Sequence, residues 1–198
     1  MNLGEVMNIF SLKGKKYVTV FLAEGDTKDA NGVGITDSYL ETFGKQFVSD
    51  QIGQTALAYP MAGHPKYAPA PLTLSGNTAA IVSHYRKQAL PYRIGKFVNT
   101  FVKLLKNGKR RLLGTFVIDD PVYQKMWDEK KFPKFNSTSI YEISRNDKGF
   151  ITDAIPIDNC SVNSPHYGTQ RAGIYHVCEG GDECISDAQM NVIQQSGG

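Results

Sequence analysis

The sequence predicts an α+β protein built as a small mixed, mainly antiparallel β-barrel flanked by a few helices. Two pairs of β-branched and aromatic runs are each joined by a turn signal, Asn107-Gly108 in the first and Asn146-Asp147-Lys148-Gly149 in the second. Asn-Gly between apolar runs is the strongest short-range mark of a hairpin. Two helix starts stand between and before these pairs: Ser38 with Glu41, spaced as a capping box, and Asp120-Pro121, an N-cap followed by proline at the first helical position. The 19 glycines, 9 prolines and 11% aromatic content favour many short strands with turns over a helical bundle.

Each element follows in chain order. Residues 1–15 carry no clear period and read as an N-terminal arm. Tyr17 to Ala23 is a β-branched and aromatic run, a strand buried on at least one face. Residues 24–33 are rich in Gly, Asp and Asn and read as a loop. Tyr39, Leu40, Phe43, Phe47 and Val48 then fall on one helical face. A short strand is expected at 55–59. Pro60, Pro65, Pro69 and Pro71 make 60–77 a long irregular loop, and loops of such length often carry function. Strands are expected at 78–85, 93–105 and 111–118, with the basic run Lys106 to Arg111 at the tip of the first hairpin. Val122, Tyr123, Met126 and Trp127 form the apolar stripe of a helix that must stop before Pro133. Strands at 137–144 and 150–157 make the second hairpin. One barrel domain therefore spans 16–178, and 179–198 reads as a polar tail.

Composition bounds the function. At 198 residues the chain suits a single compact domain, and 41% hydrophobic with 21% charged residues argues against disorder throughout. A net charge of +3 is too small to imply nucleic acid as an obligate partner. No apolar run approaches the roughly 18 residues of a membrane span. Met1 to Glu5 lacks the basic-then-apolar layout of a secretion signal. Three cysteines, Cys160, Cys178 and Cys184, make no disulfide framework. A soluble intracellular protein is expected.

The residues that can carry chemistry are few. His64, between Gly63 and Pro65, sits on a constrained loop backbone that exposes an imidazole while limiting its motion, as a general base requires; an ordinary loop histidine fits the same pattern. Asn136-Ser137-Thr138-Ser139 opens a strand, so Ser137 and Ser139 share a face. A strand with a hydroxyl-lined face is common, and neither serine lies in the Gly-x-Ser-x-Gly elbow of an α/β-hydrolase. A base histidine needs a third group to orient it, and Asp153 and Asp158 follow the serines as candidates. Asp119 and Asp120 are better explained by helix capping, and Glu142 as a surface acid. His176, Cys178 and Cys184, with Cys160 upstream, offer zinc ligands but lack paired Cys-x-x-Cys spacing, so unrelated thiols are the ordinary explanation. The basic hairpin tip lacks interleaved aromatics and reads as a solvated turn.

Taken in order, these segments resemble the prohead maturation proteases of tailed bacteriophages, whose fold is similar to the herpesvirus assembly proteases. Asn31-Gly32 with its following helix, Gly63-His64-Pro65, the run from Gly95 through Pro121, Ser137-Thr138-Ser139, and Ile157 to Val162 match the family's motifs over about residues 17–165. The resemblance implies a serine endopeptidase with His64 as base. Ser137 or Ser139 would be the nucleophile, with Ser137 preferred because Ser139 then fills a small-residue slot. Asp158 or Asp153 would be the third member: the family's acid position falls on Asn159, one residue from Asp158. It further implies no cofactor or metal, and major capsid, scaffold and portal proteins as partners, with self-association. Backbone amides near the proline-rich loop or the 144–150 turn would form the oxyanion hole. The setting would be a procapsid in the host cytoplasm, or the virion itself. Processing would account for the uncharged end Gln194 to Gly198. Two other classes stand beside it: a structural head or portal-vertex protein that keeps the fold without the chemistry, and a zinc-supported adaptor using His176, Cys178 and Cys184.

Overall fold

A computed structural model describes residues 8–12, 15–29, 32–50, 52–55, 67–133 and 135–162. Their strands are β1 (Asn8–Leu12), β2 (Lys15–Glu24), β3 (Gly53–Thr55), β4 (Arg93–Leu104), β5 (Arg110–Ile118), β6 (Phe135–Arg145) and β7 (Ile151–Val162). The helices are α1 (Leu40–Ser49), α2 (Thr78–Ala89) and α3 (Pro121–Asp128). One sheet runs in the order β1-β2-β5-β4-β3-β7-β6, antiparallel throughout except for the parallel β3–β7 pair.

The α+β class and the mainly antiparallel sheet agree with expectation; a closed barrel does not. Among the described residues β1 and β6 remain edges, with no ladder joining them. The end of β2 and the start of β7 are linked only through Ile35, which makes single bridges to Gly25 and Ile151. A single residue of the β2–α1 connection stands where a ladder would have to form.

Both hairpin turns form as the sequence dictates. Gly108 and Gly149 take φ of 79° and 77°, and the Asn146 carboxamide accepts from the amides of Lys148 and Phe150 at 3.1 and 2.9 Å. The positive φ is open to glycine at no steric cost, which is why each turn ends there. Asp120 caps α3 by accepting from Val122 and Tyr123 at 2.9 and 3.3 Å, and the helix ends before Pro133.

The predicted capping box at Ser38 does not form. Thr36 precedes a 3-10 turn over Asp37–Tyr39, no side chain caps that turn or α1, and Ser38 faces the Thr36 hydroxyl at 3.5 Å. The arm contributes β1, which pairs with β2 from Asn8 to Leu12. Of the short strand expected at 55–59, Thr55 ends β3, which begins at Gly53; residues 56–59 lie outside the described residues.

The largest correction concerns 78–85, expected as a strand and found as the first two turns of α2. Asn77 caps it, accepting from Ala80 N at 3.1 Å, and Arg86 and Lys87 lie in its last turn, where cations meet the negative end of the helix dipole. Isoleucine, valine and tyrosine raise β propensity, but the cap, the alanines and packing against β7 outweigh it.

α1 covers the central strands. Leu40, Phe43 and Phe47 are fully buried, and Gly44 lets the helix approach β5 so closely that a Cβ there would lie 2.6 Å from Leu112. Phe43, Phe47, Phe97 and Phe116 form an edge-on chain with centroids 5.2, 5.1 and 5.7 Å apart, joining helix to sheet. The opposite face of β2 and β5 buries a Thr19–Thr115 hydroxyl pair at 3.0 Å and Phe21 against Leu113. Glu24 and Arg111 form an ion pair at 2.8 Å with both side chains at or below 10% exposure, and Thr27 donates to the other Glu24 oxygen. These partners offset the desolvation that isolated charges would suffer there.

Gly95 is the tightest point of the β4–β5 ladder, where an added Cβ would lie 2.1 Å from the Val117 carbonyl oxygen. Gly95→Ala should therefore lose about 3 kcal/mol in urea unfolding. Gly108→Ala, in open space at positive φ, should lose only about 1 kcal/mol. Equal losses would refute the backbone clash.

Candidate active site

Chemistry-bearing residues gather on the β6–β7 hairpin. Its register sets Ser137 opposite Cys160, Thr138 opposite Asn159 and Ser139 opposite Asp158. Residues directly opposite in an antiparallel pair project from the same face. Ser137, Ser139, Asp158 and Cys160 thus share one face, and the Asn159 carboxamide donates to the Thr138 hydroxyl at 2.8 Å on the other. The register jumps between Ser139 and Ile140, so Ile157 is an extra residue in β7. Such a bulge re-aims neighbouring side chains, and Ile157 and Asp158 line the same cleft although they are adjacent in a strand.

That cleft has a volume of about 540 Å³ and lies between β7, the end of α1 and one side of α2. Ile52, Val82, Ala89 and Ile157 make its apolar floor, each at most 6% exposed. Arg86 closes one side: its guanidinium donates to the Pro156 carbonyl at 2.7 and 3.2 Å and to Asp50 at 2.9 Å. Asp158 is 1% exposed, and the Tyr67 hydroxyl donates to its Oδ2. A buried carboxylate needs such a donor, because its charge loses hydration.

Tyr67 is itself held by α2. Its ring meets Tyr85 edge-on at 5.7 Å, and Tyr85 packs on His84 at 5.3 Å. The Gln88 carboxamide accepts from Ala68 N at 2.7 Å and donates to Ala68 O at 3.2 Å. His84 Nε2 lies 3.1 Å from Ala68 O, and the Tyr85 hydroxyl accepts from Ala70 N at 3.2 Å. Residues 67–70 of the proline-rich loop are therefore clamped onto one face of α2. Sequence reasoning missed His84, Tyr85 and Gln88 for a definite reason: their spacing is a single face only at a period of 3.6, and 78–85 read as a strand that stopped short of Gln88. Tyr67 carried no motif at all.

The remaining candidates are distributed as follows. His64 lies outside the described residues, as do His176, Cys178 and Cys184. Ser137, Ser139 and Asp158 come together. Asp153 does not join them: it stands five residues along β7, roughly 15 Å away, where the Tyr39 hydroxyl meets its Oδ1 at 2.9 Å. Asp120 is a cap, Asp119 pairs with Arg93 at 3.6 Å, and Glu142 pairs with Arg145 beside it. The 144–150 turn begins seven residues from Ser137, about 23 Å along the strand, too far to supply an oxyanion hole. Cys160 is buried, and no group of three or more His, Cys, Asp or Glu side chains among the described residues could hold a metal.

Comparison with protein-family models, with curated proteins and with solved structures returned no significant match.

Two outcomes test the electrostatics. Tyr67→Phe removes the donor from a buried carboxylate and should cost about 1–3 kcal/mol in denaturant unfolding; an unchanged midpoint would show that Asp158 does not depend on Tyr67. Burial, and behind it the Asp153 carboxylate, raises Tyr39 above the ordinary phenol value of 10.0. Its folded form then holds the proton more tightly than the unfolded form. The associated stability is complete below pH 10 and is lost as pH rises through the higher folded value. Tyr39→Phe should flatten this alkaline decline in thermal melts, and an identical pH profile would contradict the assignment.

Proposed function

We propose that the chain is a serine endopeptidase of the prohead-maturation type, cutting scaffold and capsid proteins during head assembly. The observation that carries this reading is the diagonal between Ser137 and Asp158. Ser137 is opposite Cys160 and Asp158 opposite Ser139, so the two are diagonal neighbours on one face, with Cβ atoms roughly 7 Å apart. An imidazole hydrogen-bonded through both nitrogens needs its partners about 7 Å from each other. Ser139, directly across from Asp158 at roughly 5 Å, leaves less room for a ring between them. His64 precedes Tyr67 by three residues, so no more than about 11 Å of chain separates it from a residue that touches Asp158. In this reading Ser137 Oγ attacks the scissile carbonyl carbon. His64 takes the hydroxyl proton and returns it to the leaving amine, and Asp158 holds the imidazole in the productive tautomer. Water then hydrolyses the acyl-enzyme by the same route.

The Tyr67–Asp158 hydrogen bond favours a second reading. There Asp158 anchors the proline-rich loop, and the protein is a non-catalytic component of the head that retains a protease-like fold.

Co-expression with the cognate capsid and scaffold proteins separates the two. Ser137→Ala and His64→Ala should each reduce processing at least about a thousandfold, while Ser139→Ala should leave it within about tenfold of wild type. Processing lost only in Ser139→Ala would move the nucleophile. No wild-type cleavage, with the chain still incorporated into particles, would replace the enzyme by the structural component.

A further inference from the structure

The cleft beside Asp158 is more than the diagonal of serine and carboxylate requires. Its floor is apolar, yet three cations stand on it: Arg86, Lys87 and Arg93. Of the two acids that line it, Asp50 is taken by Arg86 at 2.9 Å and Asp158 is buried against Tyr67. Lys87 is exposed in the last turn of α2, with no carboxylate of the described residues paired to it, and Arg93 donates through Nε to the Gly95 carbonyl at 3.0 Å while its other end stands 3.6 Å from Asp119. The rim is therefore positive around an apolar floor, beside Asp158, the β7 residue that stands opposite Ser139 of β6.

We infer that this cleft is a substrate subsite for an extended peptide, taking one large apolar side chain onto Ile52, Val82, Ala89 and Ile157 while flanking acidic residues meet Lys87 and Arg93. This deepens the endopeptidase reading and rests on it for cleavage, although binding itself needs no chemistry. The volume of about 540 Å³ accommodates a leucine or phenylalanine side chain together with its flanking backbone. Asp158 lines the same cleft and stands opposite Ser139 in the ladder, so a peptide that runs from the cleft past Asp158 heads toward the hairpin serines. The charge arrangement selects acidic over basic flanks, since each like-charge contact opposes association. It also makes the interaction sensitive to salt.

The test uses the full chain carrying Ser137→Ala and Ser139→Ala, so that no peptide is cut. The probes are fluorescein-labelled octapeptides with a central leucine among glutamates, the same peptide with glycine for leucine, and the same with lysines for glutamates. Fluorescence anisotropy should show the Leu–Glu peptide binding at least tenfold tighter than either comparator. Ser83→Trp places a bulky ring from an exposed helical position into the cleft without disturbing the core, and should weaken binding at least tenfold. Lys87→Glu should weaken the glutamate peptide and strengthen the lysine one. Circular dichroism confirms that each variant is folded. Equal binding of leucine and glycine peptides, indifference to Ser83→Trp, or no binding up to millimolar peptide would each overturn the subsite. Peptide binding without processing of capsid proteins would sustain the subsite and sink the endopeptidase. Processing that Ser83→Trp leaves untouched would do the reverse.

Discussion

The sheet is held together by its shortest internal strand. β3 is three residues long, and among the described residues it is the strand that joins the β1-β2-β5-β4 half to the β7-β6 hairpin, the single bridges of Ile35 aside. On one side Gly53 and Gln54 pair antiparallel with Lys96 and Gly95; on the other Gln54 and Thr55 pair parallel with Asn159 and Cys160. A parallel pair cannot be closed by a tight turn and needs a long excursion of chain. Here it fixes β7 against the body of the domain at the residues that stand opposite Thr138 and Ser137. Without that seam the hairpin would be a two-stranded unit of marginal stability, and the positions of Ser137 and Asp158 relative to α2 would be undefined.

On this frame two helices meet β7 at different points along its length. α1 packs its aromatic residues on β4 and β5, with Gly44 close to Leu112, and meets β7 where Tyr39 and Gln46 reach the backbone of the buried Ala154. α2 packs against β7 as well and leaves a cleft between itself, the end of α1 and the strand. Arg86 spans the gap at its edge, tying the Pro156 carbonyl to Asp50. Water-sized space beside a buried carboxylate is costly to maintain unless each polar group is paired, and the Tyr67 hydroxyl meets that requirement for Asp158.

The clamp of α2 on residues 67–70 gives the proline-rich segment a defined landing point. Gln88 binds both the amide and the carbonyl of Ala68, a pairing that mimics a strand neighbour. Tyr67 then reaches Asp158 from the end of the segment nearest to Gly63-His64-Pro65. The geometry thereby couples three parts of the chain that are remote in sequence: the loop, the helix that follows it and the last strand.

What the sequence by itself determined was local. The hairpins at Asn107-Gly108 and Asn146–Gly149, the Asp120-Pro121 start of α3 and the apolar face of α1 each follow from φ preferences, capping or a period of 3.6, all of which act within a few residues. The shared face of Ser137 and Ser139 was legible for the same reason, since alternation is a property of any strand. Tertiary structure decided the rest. It made a helix of 78–89, because the Asn77 cap and packing on β7 outweighed the β propensity of Ile81, Val82 and Tyr85. It left the sheet with two edges instead of a closed barrel, since closure depends on pairing between distant strands. It separated Asp153 from Asp158, which resemble each other in sequence, by giving one to Tyr39 and the other to Tyr67. Register across β6 and β7, with its bulge at Ile157, is set by contacts between strands, and only that register says which acid meets which serine.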